Sequence, residues 1–142
     1  MTRRTLDDLL AEARATIERL EPAAAWAAAQ DGARIVDVRA APAELVPGSL
    51  HIPRTVLEWR LDPASASRSP HAPGLDERVL LLCDHGESSS LAAATLVALG
   101  FEHAGDIVGG FQAWVVAGLP VSTARPQSHE LPGMEPPVPS TD

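Results

Sequence analysis

Val79-Leu-Leu-Leu-Cys-Asp-His-Gly-Glu-Ser-Ser-Ser90 joins a run of four apolar residues to a short polar loop through the only cysteine of the chain, Cys83. An uninterrupted apolar run of this length, bounded by turn residues, reads as a strand covered on both faces, which is the habit of parallel sheets flanked by helices. Residues 88–99 follow as an Ala/Leu-rich helix closed by Gly100, so the stretch is a strand, a tight loop and a helix start. In open α/β sheets, ligand chemistry collects beyond the carboxyl ends of the strands, and Cys83 stands at that end.

The flanking sequence repeats the alternation. Upstream, Ala33–Val38 is a β-branched strand, preceded by a helix over 22–30 with Pro22 at its first position and Asp31-Gly32 at its end. Residues 5–20 place Leu6, Leu9, Leu10, Ala13, Ile17 and Leu20 on one face of a single helix, with Thr5 as N-cap and Asp7 and Asp8 in the first turn. Between them and the cysteine strand lie a small helix around 42–46, an extended piece at 49–52, two helical turns at 56–62 and a Pro/Ser/Ala loop at 63–74. Downstream come a strand at 103–107, Gly109-Gly110, and a helix at 111–117. The fold class is therefore α/β: one domain with a mainly parallel central sheet and helices on both faces. The organisation reads as an N-terminal helical extension (1–21), the α/β domain (22–121) and a Pro-rich disordered tail (122–142).

Composition removes several function classes. At 142 residues the chain suits one domain. Net charge is −8 with every cation an Arg and no basic stripe, a poor match to nucleic acid or anionic lipid. No apolar stretch approaches the ~20 residues that span a bilayer. A single cysteine excludes an internal disulfide, and no Cys/His spacing suits a metal. The chain reads as cytoplasmic, without metal or cofactor.

The charges nearest Cys83 in sequence are negative, Asp84 and Glu87, whereas reactive cysteines favour positive surroundings. Two readings stand against each other. Cys83 is a small buried hydrophobe ending a strand, or the loop supplies what the side chains lack. Gly86 permits a sharp turn, a loop leading into a helix can aim successive N–H groups inward, and the helix start adds partial positive charge. Ser88, Ser89 and Ser90 add hydroxyls and can cap the helix.

Three segments in order carry a resemblance to the rhodanese family. Cys83-Asp-His-Gly-Glu-Ser-Ser-Ser90 resembles the active loop of its single-domain thiosulfate sulfurtransferases, which can read C-x-H-G-x-S-S. Ile35-Val-Asp-Val-Arg39, Glu44 and Pro47-Gly-Ser-Leu-His-Ile-Pro53 resemble its D-x-R, P-G-A and I-P pattern, and Ile107-Val-Gly-Gly-Phe-Gln-Ala-Trp114 its G-G-F-x-A-W. The connection from Arg39 to Pro47 is shorter than usual and lacks the common G-H-I. Many members carry Arg at the fifth position after the cysteine; Ser88 stands there in this chain, as serine does in some active relatives.

The resemblance implies a rhodanese-like domain in which Cys83 is the nucleophile and Asp84, His85, Gly86, Glu87, Ser88 and Ser89 form the substrate-binding loop. It implies sulfur transfer through a Cys83 persulfide, from a small-molecule donor such as thiosulfate or a persulfide to a thiol, cyanide or protein acceptor. The alternative is a weakly catalytic binding, regulatory or redox-sensing module. A phosphatase or arsenate reductase on the same fold would need C-x5-R, and position 89 is Ser.

Secondary candidates are weighed beside these. His85 either orients a donor or faces solvent. Arg39 reads as a structural partner of Glu44, Asp37 as a loop-fixing acceptor, and Arg54, Arg60 and Arg68 either as cations able to offset the loop acids or as solvated surface residues. Trp59 and Trp114 read as core or pocket wall, and Gly109 and Gly110 either as a close approach of backbone to the active loop or as an ordinary turn. His51, His71, His103 and His129 form no ligand set.

Overall fold

The computed structural model describes residues 2–123. Five strands form one parallel sheet: β1 (Glu18–Leu20), β2 (Arg34–Asp37), β4 (Leu50–His51), β5 (Val79–Leu82) and β6 (Ala104–Ile107), in the order β1-β6-β5-β2-β4. β5 is central because all four of its residues are apolar and can be buried on both faces. Its side chains alternate between two cores. Val79 and Leu81 pack with Val36, with Leu57 and Leu61 of α3 (Leu57–Leu61), and with Ala92, Ala93 and Leu96 of α4 (Ser88–Ala98). Leu80 and Leu82 pack with Ile35, with Ala25 and Ala28 of α2 (Pro22–Gln30), and with Trp114 of α5 (Gly110–Val116). Helices therefore cover both faces, as the sequence predicts.

α1 (Leu6–Thr16) packs against α4, and Thr5 caps it reciprocally with Asp8. The amphipathic pattern predicts one helix through residue 20, but the helix stops at Thr16. Ile17 is extended, and Glu18–Leu20 becomes the edge strand, registered Glu18 to Gly105 and Leu20 to Ile107. A free edge of β6 is a stronger demand than helical periodicity in a β-branched Thr-Ile segment. Gly105 belongs to this pairing, since a Cβ there would lie 2.1 Å from the Glu18 carbonyl oxygen.

The small helix expected around 42–46 is absent. Glu44–Leu45 is instead a two-residue strand, β3, antiparallel to β7 (Ser122–Thr123). Ser122 and Thr123, read from sequence as the start of the tail, are thus paired with the domain. The rest of the Pro-rich segment expected to be disordered lies outside the described residues. Residues 54–61 are a 3-10 turn running into α3. No described helix is long and apolar enough to cross a membrane.

Candidate active site

Cys83 follows the last residue of β5 and is 5% exposed. The backbone beyond it turns back over the sulfur. Gly86 N–H donates to Sγ at 3.1 Å and Ser89 N–H at 3.3 Å. Gly86 has φ 83°, and a Cβ on it would lie 2.6 Å from the Gly109 nitrogen. Gly110, the first residue of α5, is pressed as closely, since its Cβ would meet the Cys83 carbonyl oxygen at 2.4 Å. Behind the loop, Phe111 N–H donates to that carbonyl at 2.8 Å and Gln112 N–H to the Asp84 carbonyl at 3.1 Å. The Gly109-Gly110 pair is the close approach its sequence suggests, and it fixes the carbonyl side of the loop so that N–H groups are left to face the sulfur.

Burial by itself raises the Cys83 thiol. The backbone N–H groups of Ser89 and Gly86, with the neighbouring Ser88 hydroxyl, outweigh that rise and leave the thiol below its ordinary value. The acidic flank does not prevent this. Asp84 and Glu87 are exposed at the rim of a cleft of about 350 Å³, lined by Val38, Arg39, Ala40, Cys83, Asp84, His85, Glu87 and Ser88. Of the residues expected to form the site, Cys83, Asp84, His85, Glu87 and Ser88 line this cleft. Gly86 and Ser89 lie buried beneath it and reach the sulfur through their amides.

The cleft's cation is Arg39, and its partner differs from the expected one. Arg39 Nη2 lies 2.7 Å from Asp37 Oδ2, while Glu44 contributes only its main-chain oxygen, 2.8 Å from the same nitrogen. The guanidinium carbon stands 3.9 Å over the Phe111 ring, and Nη1 is 3.9 Å from Asp84 Oδ1. Asp37, fully buried, accepts from the Arg39 backbone and side chain, which is the loop-fixing role expected of it. Its carboxylate wins over Glu44 because it is local, two residues away, and already desolvated.

Arg54, Arg60 and Arg68 do not reach the cleft. Arg54 pairs with Glu58, Arg60 donates to the Ser67 carbonyl, and Arg68 donates to the Pro73 carbonyl. The cations behind the loop are Arg14 and Arg19, which sequence reading missed because they lie far upstream. Each donates to the Gly86 carbonyl, at 2.9 and 2.8 Å. The serines differ from expectation too. No side chain caps α4; Ser89 and Ser90 instead donate their hydroxyls to Asp106, at 2.7 and 2.8 Å. His85 Nδ1 lies 2.8 Å from Gln112 Oε1 at the cleft edge. Trp114 is core, edge-on to Trp26 with ring centroids 5.8 Å apart, whereas Trp59 is 58% exposed. Among the described residues no His/Cys/Asp/Glu cluster could hold a metal, and His129 lies outside them.

A cysteine at a parallel-strand terminus, held by two loop amides and open to a cleft, defines a class of α/β domains built around a cysteine loop. Within that class, the family profile of the rhodanese-like domain matches residues 21–117, and the chain belongs to this family. The chain is 38% identical over 97 residues to a thiosulfate sulfurtransferase GlpE of Pseudomonas syringae pv. syringae, covering 68% of this chain and 86% of that one. To the GlpE of Haemophilus influenzae it is 29% identical over 109 residues, covering 77% and 98%. A solved structure from Rhodopseudomonas palustris, described as a protein of unknown function and possible tyrosine phosphatase, superposes with a TM-score of 0.72 at 34% identity. It covers 86% of this chain and 97% of its own.

Proposed function

We propose that this protein is a sulfurtransferase that carries sulfane sulfur on Cys83. One observation supports the reading above others: a buried sulfur held by the Gly86 and Ser89 amides, its thiol lowered, opens onto a cleft at the carboxyl edge of the sheet. The Cys83 thiolate attacks the outer sulfur of a donor such as thiosulfate or a persulfide. A new S–S bond forms, the donor's S–S bond breaks, and its electron pair leaves on sulfite or thiolate. The persulfide terminus carries the negative charge into the cleft, toward the loop amides. A thiol, cyanide or a protein nucleophile then attacks that terminal sulfur and returns the electron pair to Cys83. No cofactor enters, and ping-pong kinetics follow.

The lowered thiol sets the pH dependence. Persulfide formation needs thiolate, so its rate rises with pH and levels off below the pH at which an unperturbed thiol would plateau. The decisive experiment is intact mass after thiosulfate or glutathione persulfide, followed by cyanide. The expected result is a gain of one sulfur atom, reversed by cyanide and lost in Cys83→Ser. Folded, reduced protein that gains no sulfur from either donor would overturn the reading in favour of a binding or redox-sensing module.

The Rhodopseudomonas neighbour brings a phosphatase reading with it. A tetrahedral phosphate on a cysteine needs a forked Arg donor closing the loop. At that position stands Ser89, with its hydroxyl turned away to the buried Asp106. Aryl phosphate hydrolysis is expected to be absent, and a Cys83-dependent rate would reinstate that reading.

A further inference from the structure

Arg14 and Arg19 lie before residue 21, where the family match begins. Both converge on one carbonyl at the back of the active loop. Arg19 is neutralised there: its Nε lies 2.8 Å from Oδ1 of Asp106, a fully buried carboxylate that also accepts from Ser89 and Ser90. Arg14 is not. It reaches over from α1 to donate to the Gly86 carbonyl at 2.9 Å and to Ser90 Oγ at 3.0 Å, both neutral, and no carboxylate among the described residues pairs with it. Its net charge therefore remains behind the loop.

The Gly86 carbonyl belongs to the peptide whose N–H is that of Glu87. No described peptide bond is cis, and in a trans peptide the C=O and N–H point in opposite directions. Anchoring the carbonyl on the α1 side thus turns the Glu87 N–H toward the cleft, and two guanidinium donors on the oxygen polarise it. From this we infer that Arg14 is a positioning residue: the N-terminal helix clamps the back of the Cys83 loop through it, orienting the 86–87 peptide and supplying the positive charge that the loop's own sequence lacks. The inference rests on Cys83 acting as a thiolate, and its test requires no sulfur transfer.

The test is the pH profile of Cys83 alkylation by iodoacetamide, followed by intact mass, on full-length Arg14→Gln, Arg14→Lys and Ala13→Gly. Other charged groups around the sulfur are unchanged throughout: Arg39 with Asp37 from the end of β2, Asp84, His85 and Glu87 from the loop, Arg19 and Asp106 from β1 and β6. Arg14→Gln is expected to move the midpoint upward by roughly 0.5–1 pH unit, the scale of one charge-assisted contact passed through a peptide. Arg14→Lys keeps the charge but not the fork, so its midpoint falls between the two. Ala13→Gly weakens α1 beside the clamp without touching it, so it should lower thermal stability and leave the midpoint in place. A folded Arg14→Gln with the wild-type midpoint, or an Ala13→Gly shift as large, would overturn the inference. If Arg14→Gln does not fold, Arg14→Lys decides alone, and a midpoint equal to wild type sinks it. A missing persulfide with the expected alkylation shifts would sink only the sulfurtransferase reading; a persulfide with unshifted profiles would sink only the clamp.

Discussion

Asp84 and Glu87 stand at the rim of a cleft whose amides are arranged to receive negative charge, so rim and floor act in opposite directions on an anionic donor. Arg39 is within 3.9 Å of Asp84 but is already bound to Asp37, which leaves Glu87 the less compensated of the two acids. Thiosulfate carries two negative charges, and the repulsion is exposed and therefore screened by salt. Glu87→Gln should lower the KM for thiosulfate by about 2–5-fold at low ionic strength, the range for one exposed charge, and the difference should shrink in high salt. Glu87 precedes α4, where an acid favours the helix dipole, so thermal stability should fall slightly while KM improves. Steady-state kinetics at two salt concentrations would check this. An unchanged KM at low salt would mean that the rim acids do not meet the donor. At this scale the candidate cysteine and its loop were readable, because Cys83, Gly86 and the serines sit together in sequence. Its cations were not, since nothing local in the stretch 79–90 points to residues 14 and 19.

The loop is held by elements that meet it from behind, and α5 is the most exacting of them. Its first turn places the Phe111 and Gln112 amides on the Cys83 and Asp84 carbonyls, which requires the α5 backbone to approach closer than a side chain allows. Gly110 has φ 63°, and a Cβ there would meet the Cys83 carbonyl oxygen at 2.4 Å and Asp84 main-chain atoms at 2.6 and 2.7 Å. Neither neighbour is a flexible side chain that could move aside. Gly110→Ala should therefore cost about 2–4 kcal/mol, combining left-handed strain with loss of a loop hydrogen bond. It should also flatten the Cys83 alkylation profile toward that of an ordinary thiol. Denaturant melts and alkylation of the same sample would test both. A variant as stable and as reactive as wild type would show that the loop does not depend on this contact. From sequence the Gly109-Gly110 pair read as this approach or as an ordinary turn, and the short Cβ distances decide for the approach. Elements that depend on a distant partner were less legible. Glu44–Leu45 is a strand only because Ser122–Thr123 lies beside it, and no periodicity exists in two residues.

Across the molecule, the match to the family ends where the sheet still has an edge to fill. β6 would be exposed along its length without β1, and β1 lies before residue 21. The first 20 residues thus contain two pieces of different weight: α1, which covers α4 and carries Arg14, and β1, which completes the sheet and carries Arg19. Reading them as one helix extended the apolar periodicity past Thr16, although Ile17 and Leu20 pack into cores on opposite sides of the sheet, which a strand allows and one helix face does not. Two truncations separate the contributions. A chain beginning at Ile17 keeps β1, and it should fold with a lowered melting temperature and a Cys83 alkylation midpoint shifted upward. A chain beginning at Pro22 loses the edge strand and leaves Asp106 buried beneath the loop without Arg19, an uncompensated charge that typically costs 3–5 kcal/mol. That chain should be largely unfolded or aggregated at a temperature where the first is native, as read by thermal melts and size-exclusion chromatography. Equal stability of the two would mean that β1 adds nothing and that the domain begins where the family match does.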